Sequence, residues 1–151
     1  MNTPQVKALI RATAEQTTHS RADVSLRTHT LSIDEPEERG GTDVGPSPTE
    51  TLMGALVGCT NVIGHKCAKK LGVDIGELDI KLRCEFDRRG VLLQEEVDLP
   101  FTKINLDVSC HGSADQSQID AVAAEVAKFC PLAKLFREAG TVIDENWHPA
   151  G

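Results

Sequence analysis

GPSPTETLMGALVGCTNVIGHKCAKKLG, residues 45–72, decides the fold. Ser47, Pro48 and Glu50 spell a helix start. A serine and a glutamate three residues apart satisfy each other's backbone amides, and proline in the first helical position gives up no needed donor. Gly72 is placed to end the helix, so one helix is expected over Pro48 to about Leu71. Leu52, Leu56, Cys59 and Ile63 share one face of it, but Met53, Val57, Thr60 and Val62 leave little polar surface elsewhere until His65, Lys66, Lys69 and Lys70. A first half apolar on every side is expected to be buried on every side, and a chain this short would take a second copy to cover it. Gly54 and Gly58 each cost roughly 1 kcal/mol of helix propensity relative to Ala, which close packing against another backbone would offset.

Working outward, Asp34 to Pro48, DEPEERGGTDVGPSP, concentrates acid, Gly and Pro and reads as a loop placed to line a site. Residues 5–33 lack a long period, and Val24 to Ile33 suits short antiparallel strands or a hairpin. Beyond the helix, Leu78, Ile80, Leu82, Cys84 and Phe86 alternate with Asp79, Lys81, Arg83 and Glu85, the period of a half-buried strand. Ile104, Leu106 and Val108 repeat it after a loop near Arg88 to Gly90 and a break at Pro100, giving an antiparallel partner. Ser113 with Gln116 predicts the cap of a helix over Ser117 to Phe129. Pro131 opens a short helix ending at Gly140, and Val142 with Ile143 forms a last strand. There is no internal repeat, and the order of elements is that of one α+β domain spanning residues 1–151.

Composition excludes several classes of function. Sixteen Lys and Arg against twenty-three Asp and Glu give a net charge of -7, which opposes binding to phosphate backbones or anionic lipid. Aromatic residues make up 3% and tyrosine is absent, which removes the stacking platforms that bind single strands. No apolar run reaches the roughly 18 residues of a spanning helix, and the start, MNTPQVKALIRATAEQ, lacks the apolar core of a signal peptide. A cytoplasmic protein with no nucleic-acid or membrane partner is expected. Five widely spaced cysteines, an odd number, do not make a secreted disulfide framework.

Taken one at a time, the cysteines differ. Cys59 lies on the apolar stripe of the long helix, where it reads either as a small core residue or as a nucleophile that needs a cation or helix end nearby. Cys130 directly precedes a helix-opening proline, where it reads either as the stop of the preceding helix or as an N-cap residue whose free amides favour a thiolate. Cys67 is about 80° round and over ~10 Å along the helix from Cys59, too far for an unforced disulfide. Cys84 alternates with core residues of its strand. Cys110 and His111 could be imagined as metal ligands, but neighbours on a strand point to opposite faces. Neither a metal nor a cofactor is expected. Glu50 is accounted for as the capping residue and lies about 180° from Cys59 on an ideal helix. Arg39 reads as a solvated charge in the Gly-rich loop, and His19, His29, His65 and His148 show no ligand spacing.

GPSPTETLMGALVGCT at 45–60 and FCPLAKLF at 129–136, in that order and some seventy residues apart, resemble the OsmC/Ohr family of peroxide-detoxifying proteins. The resemblance extends over roughly residues 39–146 and is to an OsmC-like member more than to a typical Ohr. It implies an α+β fold of antiparallel sheets around long central helices in an intertwined homodimer, with two active sites at the interface. It further implies that Cys59 is the peroxidatic thiol and Cys130 the resolving thiol, set up by an arginine and a glutamate. Glu50 takes the acidic position, one residue further from its proline than in typical Ohr proteins. Arg39 is the arginine the loop offers, with Arg21 and Arg27 as alternatives.

The chemistry so implied is a thiol-dependent peroxidase. A Cys59 thiolate held by guanidinium hydrogen bonds attacks a peroxide and becomes a sulfenic acid, Cys130 condenses with it, and an external dithiol, resembling a lipoylated protein, reduces the disulfide. Apolar surroundings favour an organic hydroperoxide over hydrogen peroxide. The competing expectations are a redox sensor or small-ligand binding protein without significant turnover, and a structural dimer in which Cys59 is core.

Overall fold

The computed structural model describes residues 6–151; residues 1–5, the beginning of the amino-terminal stretch read above, lie outside the described residues. The chain divides into two compact units, one ending at Leu52 and one running from Met53 to Gly151, with the division inside the long helix α1 (Pro48–Leu71).

In the first unit β1 (Thr13–Ala14), β2 (Ala22–Leu26) and β3 (His29–Ile33) form an antiparallel sheet in the order β1-β2-β3. The hairpin expected near Val24 to Ile33 is present, with Ala22 opposite Ile33 and Leu26 opposite His29. Its turn holds Arg27 at φ 58, and Arg21 is ion-paired with Asp23 at 3.1 Å. The acidic Gly- and Pro-rich segment is a loop, as expected, with one 3-10 turn at Glu37–Arg39. The start of α1 follows the sequence closely. The Ser47 amide donates to Glu50 Oε2 at 2.8 Å and the Glu50 amide to Ser47 Oγ at 3.2 Å.

In the second unit β4 (Leu78–Phe86) pairs antiparallel with β5 (Phe101–Cys110), in a register that sets Leu82 against Leu106 and Cys84 against Ile104. Two helices follow, α2 (Gln116–Phe129) and α3 (Pro131–Ala139), and then β6 (Val142–Pro149) pairs parallel to β5. The sheet β4-β5-β6 is therefore mixed, which corrects the expectation of antiparallel sheets throughout. The helical crossover between β5 and β6 supplies the length that a parallel return needs, and both helices pack against β6.

β6 is also much longer than the expected Val142 and Ile143. Its alternation is masked because one inward position, between Ile143 and Trp147, is Glu145. That carboxylate is satisfied locally, accepting from Arg137 Nη2 of α3 at 2.8 Å and from Trp147 Nε1 at 3.3 Å. A charge buried with a partner at hand is tolerated where a lone one is not.

The cap of α2 is a second correction. The N-cap is Asp115, which exchanges hydrogen bonds with Gln118, rather than Ser113 with Gln116. Ser113 is engaged instead by Asp74, whose Oδ2 accepts from both its amide (3.1 Å) and its hydroxyl (3.0 Å). Gln116 reaches Trp147 O at 2.8 Å and ties the first turn of α2 to β6.

Burial along α1 shows what a single chain covers. Leu56, Thr60, Gly64, Cys67 and Ala68 are buried and make a single stripe. Gly54, Ala55 and Gly58 are exposed, Val62 is 50% exposed, and a Cβ at Gly54 or Gly58 would meet nothing within 4 Å. One chain covers one face of the helix and leaves a second apolar face open. The close glycine contact lies elsewhere, at Gly64, where a Cβ would sit 3.0 Å from Trp147 Cη2. Substituting Gly64→Leu should force α1 off Trp147 and destabilise the fold by about 1–3 kcal/mol, read as a lower urea midpoint with little change in slope.

Candidate functional site

Two backbone devices bring Cys59 and Cys130 together. α1 carries Cys59 midway along its length, half-buried. Cys130 sits at the junction of α2 and α3, ending one helix and N-capping the next in an extended conformation (φ -70°, ψ 109°). Pro131 causes the break, because the residue before proline is driven out of helical geometry. The amide of Cys130 still closes α2 on Val126 O (2.9 Å), and its carbonyl accepts from Lys134 to start α3 (3.1 Å). The result is a fully buried thiol that donates to Cys59 Sγ at 3.3 Å, across seventy-one residues of sequence.

The acidity of Cys130 runs against the sequence reading. Its N-cap position is as expected, and the amides of Leu132 and Ala133 do act on the sulfur. Burial outweighs them, and with the charge and hydrogen bond of Cys59 it pushes Cys130 up to about 11. At neutral pH Cys130 is therefore a protonated donor facing Cys59. This division of roles, one sulfur donating and one accepting, is what the pair can offer a reaction that needs one nucleophilic thiol and a second thiol in reserve.

The other cysteines stand apart from this pair. Cys67 and Cys110 are buried and Cys84 half-buried, and burial pushes the pKa of each thiol up, which is the environment of an inert thiol. His111 turns outward to Asp79 Oδ2 at 2.7 Å while Cys110 faces the core, as strand alternation requires. His148 is bound to Asp107 (3.1 Å), and His65 reaches the carbonyls of Asn61 (2.9 Å) and Gly76 (3.0 Å). His19 reaches Gly40 O at 2.9 Å.

Glu50 and Arg39 lie in the first unit. Glu50 is held well within its capping role, and the Ser47 amide and hydroxyl, followed by the charge of Arg39, keep its carboxyl below the usual range. Arg39 closes the 3-10 turn and donates through Nε to Glu35 Oε2 at 2.7 Å. Both line one open cleft of about 480 Å³, with Pro36, Glu38, Asp43 and Val44 to Pro46. A residue that the sequence reading passed over binds the loop that carries Arg39. Asp34 is fully buried, and its carboxylate accepts from the loop at both oxygens. Its signal in the sequence was an aspartate opening a Gly- and Pro-rich turn, where such side chains bind nearby amides. Among the described residues no helix is long and apolar enough to cross a membrane.

The family model described as OsmC-like protein matches residues 40–146. No curated protein matches the sequence significantly. Among solved structures, the OsmC-like protein of Mycoplasma pneumoniae is similar with a TM-score of 0.77 at 18% identity, covering 96% of this chain and 98% of that one. An organic hydroperoxide resistance protein from Elizabethkingia anophelis gives 0.71 at 14% identity, over 97% and 99% of the two chains. OhrB of Bacillus subtilis, another organic hydroperoxide resistance protein, gives 0.62 at 15% identity, over 95% and 98%. At such identities the likeness is one of fold.

The geometry of the sulfur pair predicts how Cys130 titrates. With a value near 11, only about one part in a thousand of it is ionised at pH 8, so its alkylation should be slow there and climb steeply toward pH 11. Replacing Cys59→Ser removes the charge and the hydrogen bond that raise it, and the midpoint of the Cys130 alkylation profile should move down. Peptide mass spectrometry after timed iodoacetamide labelling reads both effects, and an unmoved midpoint would show that Cys59 does not control Cys130.

Proposed function

The chain belongs to the OsmC-like family, and we propose that it is a thiol-dependent peroxidase in which Cys59 takes the peroxide oxygen and Cys130 resolves the product. The observation that carries this reading is the Cys130 thiol donating to the Cys59 sulfur at 3.3 Å. Two cysteines seventy-one residues apart are held within about 1.3 Å of disulfide bonding distance, one accepting and one buried and protonated.

The steps follow from that arrangement. The Cys59 thiolate attacks the terminal oxygen of a hydroperoxide; the O–O bond breaks, the alkoxide leaves and is protonated to an alcohol, and Cys59 becomes a neutral sulfenic acid. Oxidation thereby removes the charge that had helped to hold the proton on Cys130, while the Leu132 and Ala133 amides remain to stabilise a thiolate. Cys130 then gives up its proton and attacks the Cys59 sulfur, the S–O bond breaks, and water departs with that proton. An external dithiol reduces the disulfide by thiol exchange and is itself oxidised to a disulfide. We take that dithiol to be a lipoylated protein.

An organic hydroperoxide is the proposed substrate, because Val57 and Val62 on α1 and the half-exposed Phe129 beside Cys130 offer apolar surface to an alkyl group. Each buried methylene contributes about 0.8 kcal/mol that hydrogen peroxide cannot gain. Arg39 and Glu50 are proposed as the charged residues that ready Cys59. Glu50 lies about half a turn of helix away from Cys59 in direction, so we propose a homodimer in which each site draws on both chains. The uncovered face of Gly54, Ala55, Gly58 and Val62 supports that assembly.

With dithiol and cumene hydroperoxide in excess, the wild-type protein should turn over repeatedly and the Cys59→Ser variant not at all. Cys130→Ser should form a sulfenic acid, trapped by dimedone, and then stall without disulfide. Full activity of Cys59→Ser would sink the assignment, and a single oxidation to the Cys59–Cys130 disulfide without further turnover would point to a redox sensor. Sedimentation should give twice the 16.3 kDa of one chain; a stable, fully active monomer would remove Glu50 from the site and leave it its capping role.

A further inference from the structure

We propose that Asp34 is a positioning residue whose buried carboxylate closes the loop from Glu35 to Pro46, so that Arg39 and Glu50 line a single cleft. The inference rests on the reading of Arg39 and Glu50 as the residues that ready Cys59.

The loop's connections converge on this one side chain. Asp34 Oδ1 accepts from the Glu35 amide at 2.8 Å. Asp34 Oδ2 accepts from the Thr42 hydroxyl at 2.5 Å, the Thr42 amide at 3.2 Å and the Val44 amide at 3.3 Å. The backbone of the same residue donates to Pro46 O at 3.0 Å, directly before the Ser47 that caps α1. Asp34 thus fixes the residue whose side chain holds Arg39 (Glu35, 2.7 Å to Nε) and also the strand of loop that delivers Glu50. The fit is tight: a Cβ on Gly41 would come within 1.9 Å of Glu35 O, so the far side of the loop presses directly on the residue next to Asp34.

The side chain is fully buried yet charged. The Thr42 hydroxyl first, then the Glu35 and Val44 amides, hold its carboxyl far below the ordinary range against the opposing effect of burial. A turn alone could be made by asparagine or serine at no cost in buried charge. A carboxylate that collects four donors fixes the loop more firmly than either, which is what a cleft lined by both a guanidinium and a carboxylate requires. Arg39 and Glu50 do line the same cleft, and the charge of Arg39 is felt at Glu50.

The test compares Asp34→Asn, Thr42→Val, Arg39→Ala and the Asp34→Asn/Arg39→Ala pair in the full-length protein. The readouts are the rate of Cys59 sulfenic acid formation with cumene hydroperoxide, the thiolate absorbance lost on Cys59 alkylation, and the urea midpoint. Asp34→Asn should slow Cys59 oxidation about tenfold and lower the thiolate signal, as a misplaced activating group does. Thr42→Val should do the same to a smaller extent, and the double variant should fall far short of the product of the two single losses, because Asp34 acts largely by placing Arg39. A folded Asp34→Asn protein that oxidises at the wild-type rate overturns the proposal, as does a loss that multiplies with that of Arg39→Ala. Should Asp34→Asn not fold, Thr42→Val decides, and a wild-type rate there is equally fatal. A wild-type rate in Arg39→Ala refutes the assignment of Arg39 itself, an outcome distinct from a silent Asp34→Asn beside an impaired Arg39→Ala.

Discussion

The contact between the Cys130 thiol and the Cys59 sulfur depends on a conflict that Pro131 imposes on the chain. Without the proline, α2 and α3 would be free to run on as one helix, and Cys130 would be an ordinary helical residue. The break turns Cys130 into the end of one helix and the cap of the next, with its amide and carbonyl both used and only its sulfur left to find a partner. Burial then keeps that sulfur protonated despite the helix amides beside it. A thiol so deeply buried is not readily ionised unless a cation is close, and it donates to Cys59.

That contact needs α1 and the sheet held in a fixed relation within the second unit. Gly64 seats α1 on Trp147, and Trp147 is anchored by Gln116 on its carbonyl and Glu145 on its indole. Arg137 of α3 completes the link by pairing with Glu145. The same strand therefore supports the helix carrying Cys59 and the helix opened by Cys130. This explains why a carboxylate occupies an inward position of β6, where packing alone would call for an apolar residue: it hydrogen-bonds α3 to the strand and to the Trp147 on which α1 rests, where an aliphatic side chain could only touch.

The sequence was legible where short-range chemistry controls the chain. Ser47, Pro48, Glu50 and Gly72 marked α1 because capping is a matter of three or four neighbouring residues, and the strict alternation of Leu78 to Phe86 marked β4 for the same reason. It was misleading where a distant partner changes the meaning of a residue. Ser113 looked like a cap until Asp74 claimed it, Glu145 hid a strand because its partner lies in α3, and Asp34 looked like one acid among several in a loop. The glycines of α1 were read as a sign of close packing, and within one chain the close approach is at Gly64 rather than Gly54 or Gly58.

Residue order alone determined the helices, the principal strands and the break at Pro131, and with the family resemblance it singled out the two of five cysteines proposed to react, since each of these rests on local backbone preference or a linear motif. Tertiary structure decided that β6 lies parallel to β5, that Asp34 gathers the loop around Arg39, and that Cys130 is the protonated partner rather than the expected thiolate. The physical reason is the same in each case. Burial and hydrogen bonding depend on which distant groups arrive in the same place, and for Cys130 that arrival reversed the effect that its position at a helix start would have had by itself.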